Sequence, residues 1–178
     1  RINSQSGRGG VSYVLKNSFG LILPDKMKEE VGYLMKNVSD HRHAELSPED
    51  MRDVFKETYV DVDKKFDVSE CHFKQKDGIG AEVTIVADGK ETVVDSHGNG
   101  RLNAVNHAIK KYFNLDYALD VYEEHSLSKR SDAQAISYVG IKPAGQEKLY
   151  WGAGTDDDII KSSIDALVNA VNRYMENK

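Results

Sequence analysis

The order of segments along the chain predicts an α+β protein: a small helical subdomain followed by a duplicated βββα domain with pseudo-twofold symmetry. Three observations carry this. Helix-period apolar stripes are confined to the first sixty residues, strand-like runs begin near Val60, and the order strand, strand, strand, Gly-x-Gly, helix occurs twice after it. The division expected is 1–60 for the helical part and 61–178 for the duplicated part, with units at 61–115 and 116–178.

In the helical part, the apolar run Val11 to Leu15 ends at Gly20. A second helix opens at Pro24, and Met27, Val31, Leu34 and Val38 fall on one stripe before polarity sets in at Ser39-Asp40-His41-Arg42-His43. The third opens with Ser47-Pro48-Glu49-Asp50, which combines an N-cap, a proline at the first helical position and early acids. Its buried face is Met51, Val54, Phe55 and Tyr59. The first three strands are expected at Glu70 to Gln75, Ala81 to Ala87 and Glu91 to Asp95, the last two joined by a tight Asp88-Gly89 turn. His97-Gly98-Asn99-Gly100 then leads into a helix with Leu102, Val105, Ile109 and Tyr112 on one face. In the second unit the strands are expected at Tyr117 to Glu123, Ala133 to Ile141 and Lys148 to Trp151. Gly152-Ala153-Gly154 follows as the second turn, and a helix carries Ile160, Ile164, Leu167, Val171 and Tyr174. The two helices echo each other in Ala104-Val105-Asn106-His107 and Ala170-Val171-Asn172-Arg173. Each unit is too small to cover its own sheet, so the units are expected to pack on one another, and a homodimer would extend that packing.

Composition narrows the function classes. Of the 178 residues, 39% are hydrophobic and 30% charged, and no apolar run nears the ~20 residues needed to cross a bilayer, so no membrane role is expected. A formal net charge of -5, with Lys and Arg scattered, gives no basic field for phosphates, which disfavours nucleic acid. Cys71 is the sole cysteine, so no intrachain disulfide forms, and a cytoplasmic setting is expected. The chain starts at Arg1 without an initiator Met, which reads as a piece of a longer protein.

Glycines between a strand and a helix let the backbone approach a ligand, and first-turn N–H groups there suit a carboxylate or phosphate. Gly98-Asn99-Gly100-Arg101-Leu102-Asn103 lacks the third glycine of a dinucleotide fingerprint, and no phosphate-loop lysine follows. A plain structural turn explains each Gly-x-Gly equally well. The ligand reading rests on the two being symmetry mates. His41-Arg42-His43 and Cys71-His72 lack metal-site spacing and read as solvated or ordinary strand residues, so no metal is expected. Glu123-Glu124-His125 reads as charge at a strand end. Asp156-Asp157-Asp158 reads as stabilising a helix N-terminus.

Ile2-Asn3-Ser4-Gln5-Ser6-Gly7-Arg8-Gly9-Gly10-Val11, with Gly20-Leu21-x-Leu23-Pro24 after it, resembles the linker subdomain that follows the barrel of 2-isopropylmalate synthases. Gly98-Asn99-Gly100, Ser131-Asp132-Ala133-Gln134-Ala135 and Ser163-x-x-Ala166-x-x-x-Ala170-Val171-Asn172-Arg173 resemble the same family's C-terminal allosteric domain, so the likeness spans essentially the whole chain. The resemblance implies that the catalytic (β/α)8 barrel, which binds a divalent metal and condenses acetyl-CoA with 2-oxoisovalerate in leucine biosynthesis, is not in this stretch. It therefore implies no catalytic residue and no cofactor here. It further implies a homodimer in which leucine binds as feedback inhibitor between the units. Gly98, Asn99, Gly100, Leu102 and Asn103 would hold the amino acid at the glycine turn, and Leu119, Tyr122, Ser126, Ala133, Ala135 and Ile159 would line the apolar pocket. Arg101 stands where that family usually has proline. Citramalate synthases carry a similar domain that answers to isoleucine, and a dimerisation module without ligand would share the fold.

Overall fold

Helical signals at the start of the chain fold as read. The computed structural model describes residues 8–127 and 134–178. Helix α1 (Arg8–Phe19) stops at Gly20, whose φ of 70° turns the chain back while Gly20 N–H donates to the Lys16 carbonyl at 2.9 Å. Helix α2 (Asp25–Arg42) buries Met27, Val31 and Met35 completely, with Leu34 and Val38 half-buried, so its stripe centres on the i, i+4 row through Met35. Helix α3 (Pro48–Phe55) starts in a full capping box: Asp50 N–H donates to Ser47 Oγ at 3.1 Å, and Ser47 N–H donates to Asp50 Oδ2 at 3.0 Å. It runs on as one π-helical turn, Lys56–Val60, which buries Tyr59.

The rest is two antiparallel three-stranded sheets, each followed by a helix. Strands β1 (Phe66–Gln75), β2 (Ile79–Ala87) and β3 (Lys90–Gly98) lie side by side in chain order ahead of α4 (Arg101–Phe113). Strands β4 (Tyr117–Ser126), β5 (Ala135–Pro143) and β6 (Tyr150–Asp156) do the same ahead of α5 (Ile159–Glu176). Asp88 and Gly89 both have positive φ, 52° and 72°, the tight β2–β3 hairpin turn their sequence calls for.

The two ladders correspond position by position. Phe66 and Tyr117 open strands of 10 residues each, and both strands carry a bulge three residues in, between Val68 and Glu70 and between Leu119 and Val121. Ile79 pairs with Gly98 where Ala135 pairs with Asp156. The repeat mates of Gly98, Asn99 and Gly100 are therefore Asp156, Asp157 and Asp158.

Gly152-Ala153-Gly154 is not a turn. It lies inside β6, which runs five residues past the expected end at Trp151. The reason is packing: a Cβ on Gly152 would stand 2.4 Å from the Ala166 carbonyl oxygen, and one on Gly154 would stand 2.3 Å from that of Ser162. These glycines let α5 lie flat on the sheet, and glycine within a strand marks such a close approach. The helix echo is also out of register, since the mate of Asn106 is Ile164 and Asn172 comes about two turns later. The two asparagines are alike in contact instead. Tyr117, first residue of β4, donates its hydroxyl to Asn106 Oδ1 at 2.7 Å, while Phe66, first residue of β1, bonds Asn172 through both its N–H (3.2 Å) and its carbonyl (3.0 Å). Each unit's helix thus holds the first strand of the other unit, as a pseudo-twofold pairing requires.

The sheets differ in what covers them. Both faces of β5 and β6 are buried: α5 takes one, and on the other Ile136, Tyr138, Trp151 and Ala153 join Val11, Leu15, Met27 and Tyr59 of the helical part in one apolar cluster. Arg173 and Asn169 of α5 pin that contact. Arg173 lies 4.6 Å over the Tyr59 ring and donates to the Trp151 carbonyl at 2.8 Å; Asn169 Nδ2 donates to the carbonyls of Val60 (2.9 Å) and Ala153 (2.8 Å). The sheet β1-β2-β3 packs one face on α4, and its other face exposes Glu70, His72, Lys74, Glu82 and Asp95.

Candidate functional site

The residues singled out in the sequence fall into two groups. In the first, Gly98 closes β3, Asn99 is exposed, Gly100 is the N-cap of α4, and Leu102 and Asn103 lie in its first turn. A Cβ on Gly98 would stand 2.6 Å from the backbone N of Ala104 and 2.5 Å from Asn103 Oδ1, so only glycine fits; one on Gly100 meets nothing within 4 Å. Asn103 Oδ1 accepts from Asn99 N–H at 3.1 Å, which fixes the loop. Gly100 supplies no side-chain cap, and the first turn of α4 holds no acid, so the positive end of the helix carries no anionic partner of its own. The mates behave oppositely. Asp158 caps α5 by accepting from Ile160 N–H at 2.9 Å, and Asp156 Oδ1 accepts from Asp158 N–H at 2.9 Å, the bond that chiefly holds the Asp156 carboxyl below the usual carboxylate range. The acid triplet stabilises its helix, as read, and of the two equivalent termini only that of α4 is left open to an anion.

The second group sits at the far end of β4 and β5. Ser126, the exposed last residue of β4, pairs with Ala135, the buried first residue of β5, and Leu119 is half-buried on the α5 side. Tyr122 is 40% exposed and Ile159, first residue of α5, is 51% exposed, so two apolar side chains project from this end. Ala133 lies outside the described residues, as do Ser131 and Asp132 and the opening motif from Ile2 to Gly7.

A hydroxyl cluster visible only in the folded chain ties this group together. Tyr122 Oη donates to Glu124 Oε2 at 2.6 Å and lies 2.6 Å from Ser163 Oγ, which donates to the Ile159 carbonyl at 2.7 Å. Ser137 Oγ lies 2.8 Å from Ser162 Oγ and 3.2 Å from Ser163 Oγ, with all three serines fully buried. Partial burial, and then the bond to Glu124, pushes the Tyr122 phenol up. A serine reads as polar in sequence, and only tertiary packing shows where its partner is. Leu102 and Leu119 both pack on the same apolar cluster between the sheets, which is the structural link between the two groups.

The other candidates separate as strand geometry demands. Cys71 and His72 point to opposite faces of β1, so they cannot ligate together; His72 pairs with Glu70 at 2.9 Å on the outer face. His41 and His43 are exposed at the end of α2, His43 as its left-handed cap. His125 is a structural tie. Its Nδ1 lies 3.0 Å from the Ser126 carbonyl, so it carries the proton there, and Nε2 accepts from Ile22 N–H at 3.2 Å, holding the helical part to β4. Among the described residues no group of three or more His, Cys, Asp or Glu is placed to hold a metal ion, and no helix is long and apolar enough to cross a membrane.

Residues 45–175 match the LeuA allosteric (dimerisation) domain. The 2-isopropylmalate synthase of Desulfitobacterium hafniense (strain Y51) is 40% identical over 178 residues, covering 99% of this chain and 32% of that protein. That of Helicobacter hepaticus is 38% identical over 184 residues, covering 98% and 33%, and that of Schizosaccharomyces pombe is 34% identical over 182 residues, covering 97% and 31%. The chain spans about a third of the length of the curated relatives it matches. With its duplicated βββα architecture matched along most of its length, the chain belongs to the family of the LeuA allosteric (dimerisation) domain.

Proposed function

We propose that this chain is the C-terminal regulatory region of a 2-isopropylmalate synthase, with residues 1–60 as linker and 61–178 as the sensing domain. It binds leucine and transmits feedback inhibition to a catalytic barrel elsewhere in the full-length protein, where a divalent metal would lie. The observation that carries the reading is the contrast between the two helix termini: α4, uncapped and free of acids, can take the carboxylate of an amino acid, while α5 is closed by its own aspartates. The isobutyl group would enter among Leu102, Leu119, Ala135 and Ile159, and a homodimer would cover Tyr122 and Ile159. The chain needs no cofactor of its own in this role, and the setting is cytoplasmic.

Calorimetric titration of the chain with leucine, isoleucine and valine tests it. Leucine should bind tightest, about tenfold to a hundredfold over isoleucine, the separation a hydrophobic pocket gives for a shift of one methyl. Light scattering should report twice the chain mass of 19.9 kDa. Isoleucine binding as well as leucine would move the assignment to a citramalate-type effector. No binding at millimolar concentration would leave a dimerisation module.

A further inference from the structure

We propose that the crevice between β1 and α5 is a second binding site, for a zwitterionic amino acid with a branched aliphatic side chain. The crevice is the repeat mate of the site around Leu102, Asn103, Leu119 and Tyr122. By the ladder correspondence Val68 stands where Leu119 stands in the other unit, and Cys71 where Tyr122 stands. Ile160 and Lys161 likewise take the places of Leu102 and Asn103. All four mates line one cavity of about 190 Å³.

The bulge at Ser69 opens this cavity. It breaks the alternation of β1 so that Val68 and then Cys71 and Phe73 face α5, across from Ile160 and Ile164 one helical turn apart. The walls are therefore apolar, and an apolar cavity of about 150 Å³ already takes a benzene-sized guest, so a four-carbon branched side chain fits.

The mouth carries one base, Lys161, and two acids, Glu70 and Asp165. Lys161 Nζ is 3.8 Å from Asp165 Oδ2 and 4.0 Å from Asp156 Oδ2, both beyond hydrogen-bond length, so the ammonium can turn to an incoming carboxylate without losing a hydrogen bond. Asp165 is half-buried and its carboxyl is pushed up mainly by that burial, against the opposing pull of Lys161 and Lys64, so a ligand ammonium beside it replaces Lys161 when that side chain turns to the ligand carboxylate. Glu70, at the rim, is already held by His72 at 2.9 Å. Because Asp158 closes the α5 terminus, Lys161 takes over the part that the open α4 terminus plays in the first site. The choice of ligand rests on the leucine reading of that site; the crevice and its equivalence do not.

Cys71, the sole cysteine, lines the crevice and reports on it directly. The full chain is treated with N-ethylmaleimide with and without leucine, and labelling is followed by intact mass. Leucine at ten times its dissociation constant should slow labelling about tenfold. Lys161→Ala, at an exposed position, should melt as the parent chain does and lose the protection, whereas Tyr122→Ala, in the first site, should keep it. If leucine binds by calorimetry but Cys71 reacts at an unchanged rate, or if Lys161→Ala is protected like the parent, the second site is overturned and the first stands. If Cys71 is protected and Tyr122→Ala loses none of the calorimetric binding, the second site stands and the leucine reading of the first fails. If leucine neither binds nor protects, both fall.

Discussion

Gly152→Ala should destabilise the chain strongly while Gly100→Ala should not, although both belong to Gly-x-Gly triplets that look alike in sequence. At Gly152 the new methyl would lie 2.3 Å from Ala170 N and 2.4 Å from the Ala166 carbonyl oxygen. Both are backbone atoms of α5, so no side chain can swing aside, and the helix must lift by about an ångström along a contact that buries Ala166, Ala170 and Val171. Overpacking of this kind costs about 1 to 3 kcal/mol or more. For a chain of this length each kcal/mol lowers Tm by roughly 2 to 4 °C, so a drop of roughly 2 to 12 °C is expected. At Gly100 the backbone is extended (φ -150°) and a methyl meets nothing within 4 Å. The change from Gly to Ala at an N-cap should therefore remain below about 1 kcal/mol. Calorimetric melting of both variants beside the parent decides the matter. Equal Tm for Gly152→Ala and the parent would refute the close packing of α5 on β6, and with it the reason given for two glycines in a strand.

Two further perturbations probe the joints of the fold. Asn172→Ala removes acceptance from Lys65 N–H at 2.7 Å and Phe66 N–H at 3.2 Å and donation to Phe66 O at 3.0 Å, stranding buried groups of β1. It should cost about 2 to 4 kcal/mol, read as a lower urea midpoint with unchanged m. Tyr59, Tyr117 and Tyr138 all have phenols raised well above the ordinary range, first by burial, with Glu30 adding at Tyr59 and Glu123 at Tyr138. A folded pKa above the unfolded value of about 10 gives stability that is complete below pH ~10 and lost as pH rises through the folded values. Ultraviolet titration should show these three ionising together with alkaline unfolding, and independent ionisation in a folded chain would refute their burial.

Much of the fold was legible because its signals are local. The Ser47-x-x-Asp50 box, the helix stop at Gly20 and the Asp88-Gly89 hairpin act within four residues, so sequence alone carries them. The strand ends at Ser126, Ala135 and Asp156 and the role of Gly152 and Gly154 are set by partners about ten or more residues away. There a rule that reads glycine as punctuation gave a turn where tertiary packing made a strand. The first group of candidate residues was readable for the opposite reason: Gly98-Asn99-Gly100 does join a strand to a helix. The hydroxyls of Ser137, Ser162 and Ser163 meet only once β5 and α5 are packed, and no spacing announces them.

The asymmetry between the two units was written in the strands but only the structure gives it meaning. In β2, Ala81, Val83 and Ile85 are buried on the inner face, while the outer face carries the polar Glu82, exposed, and Thr84, the mix of a sheet with one face toward water. β5 is buried along nearly its whole length from Ala135 to Pro143, the pattern of a strand covered twice, and the second cover is the helical part. A duplicated domain whose units were equivalent in use would not need this difference. Here one unit has given its outer face to α1, α2 and α3, while the other presents a polar face to water. Asn169 at Val60 and Arg173 at Tyr59 tie α5 directly to the helical part, whereas α4 has no such connection to it among the bonds described. The attachment of the helical part to only one of the two sheets makes the two βββα units structurally unequal.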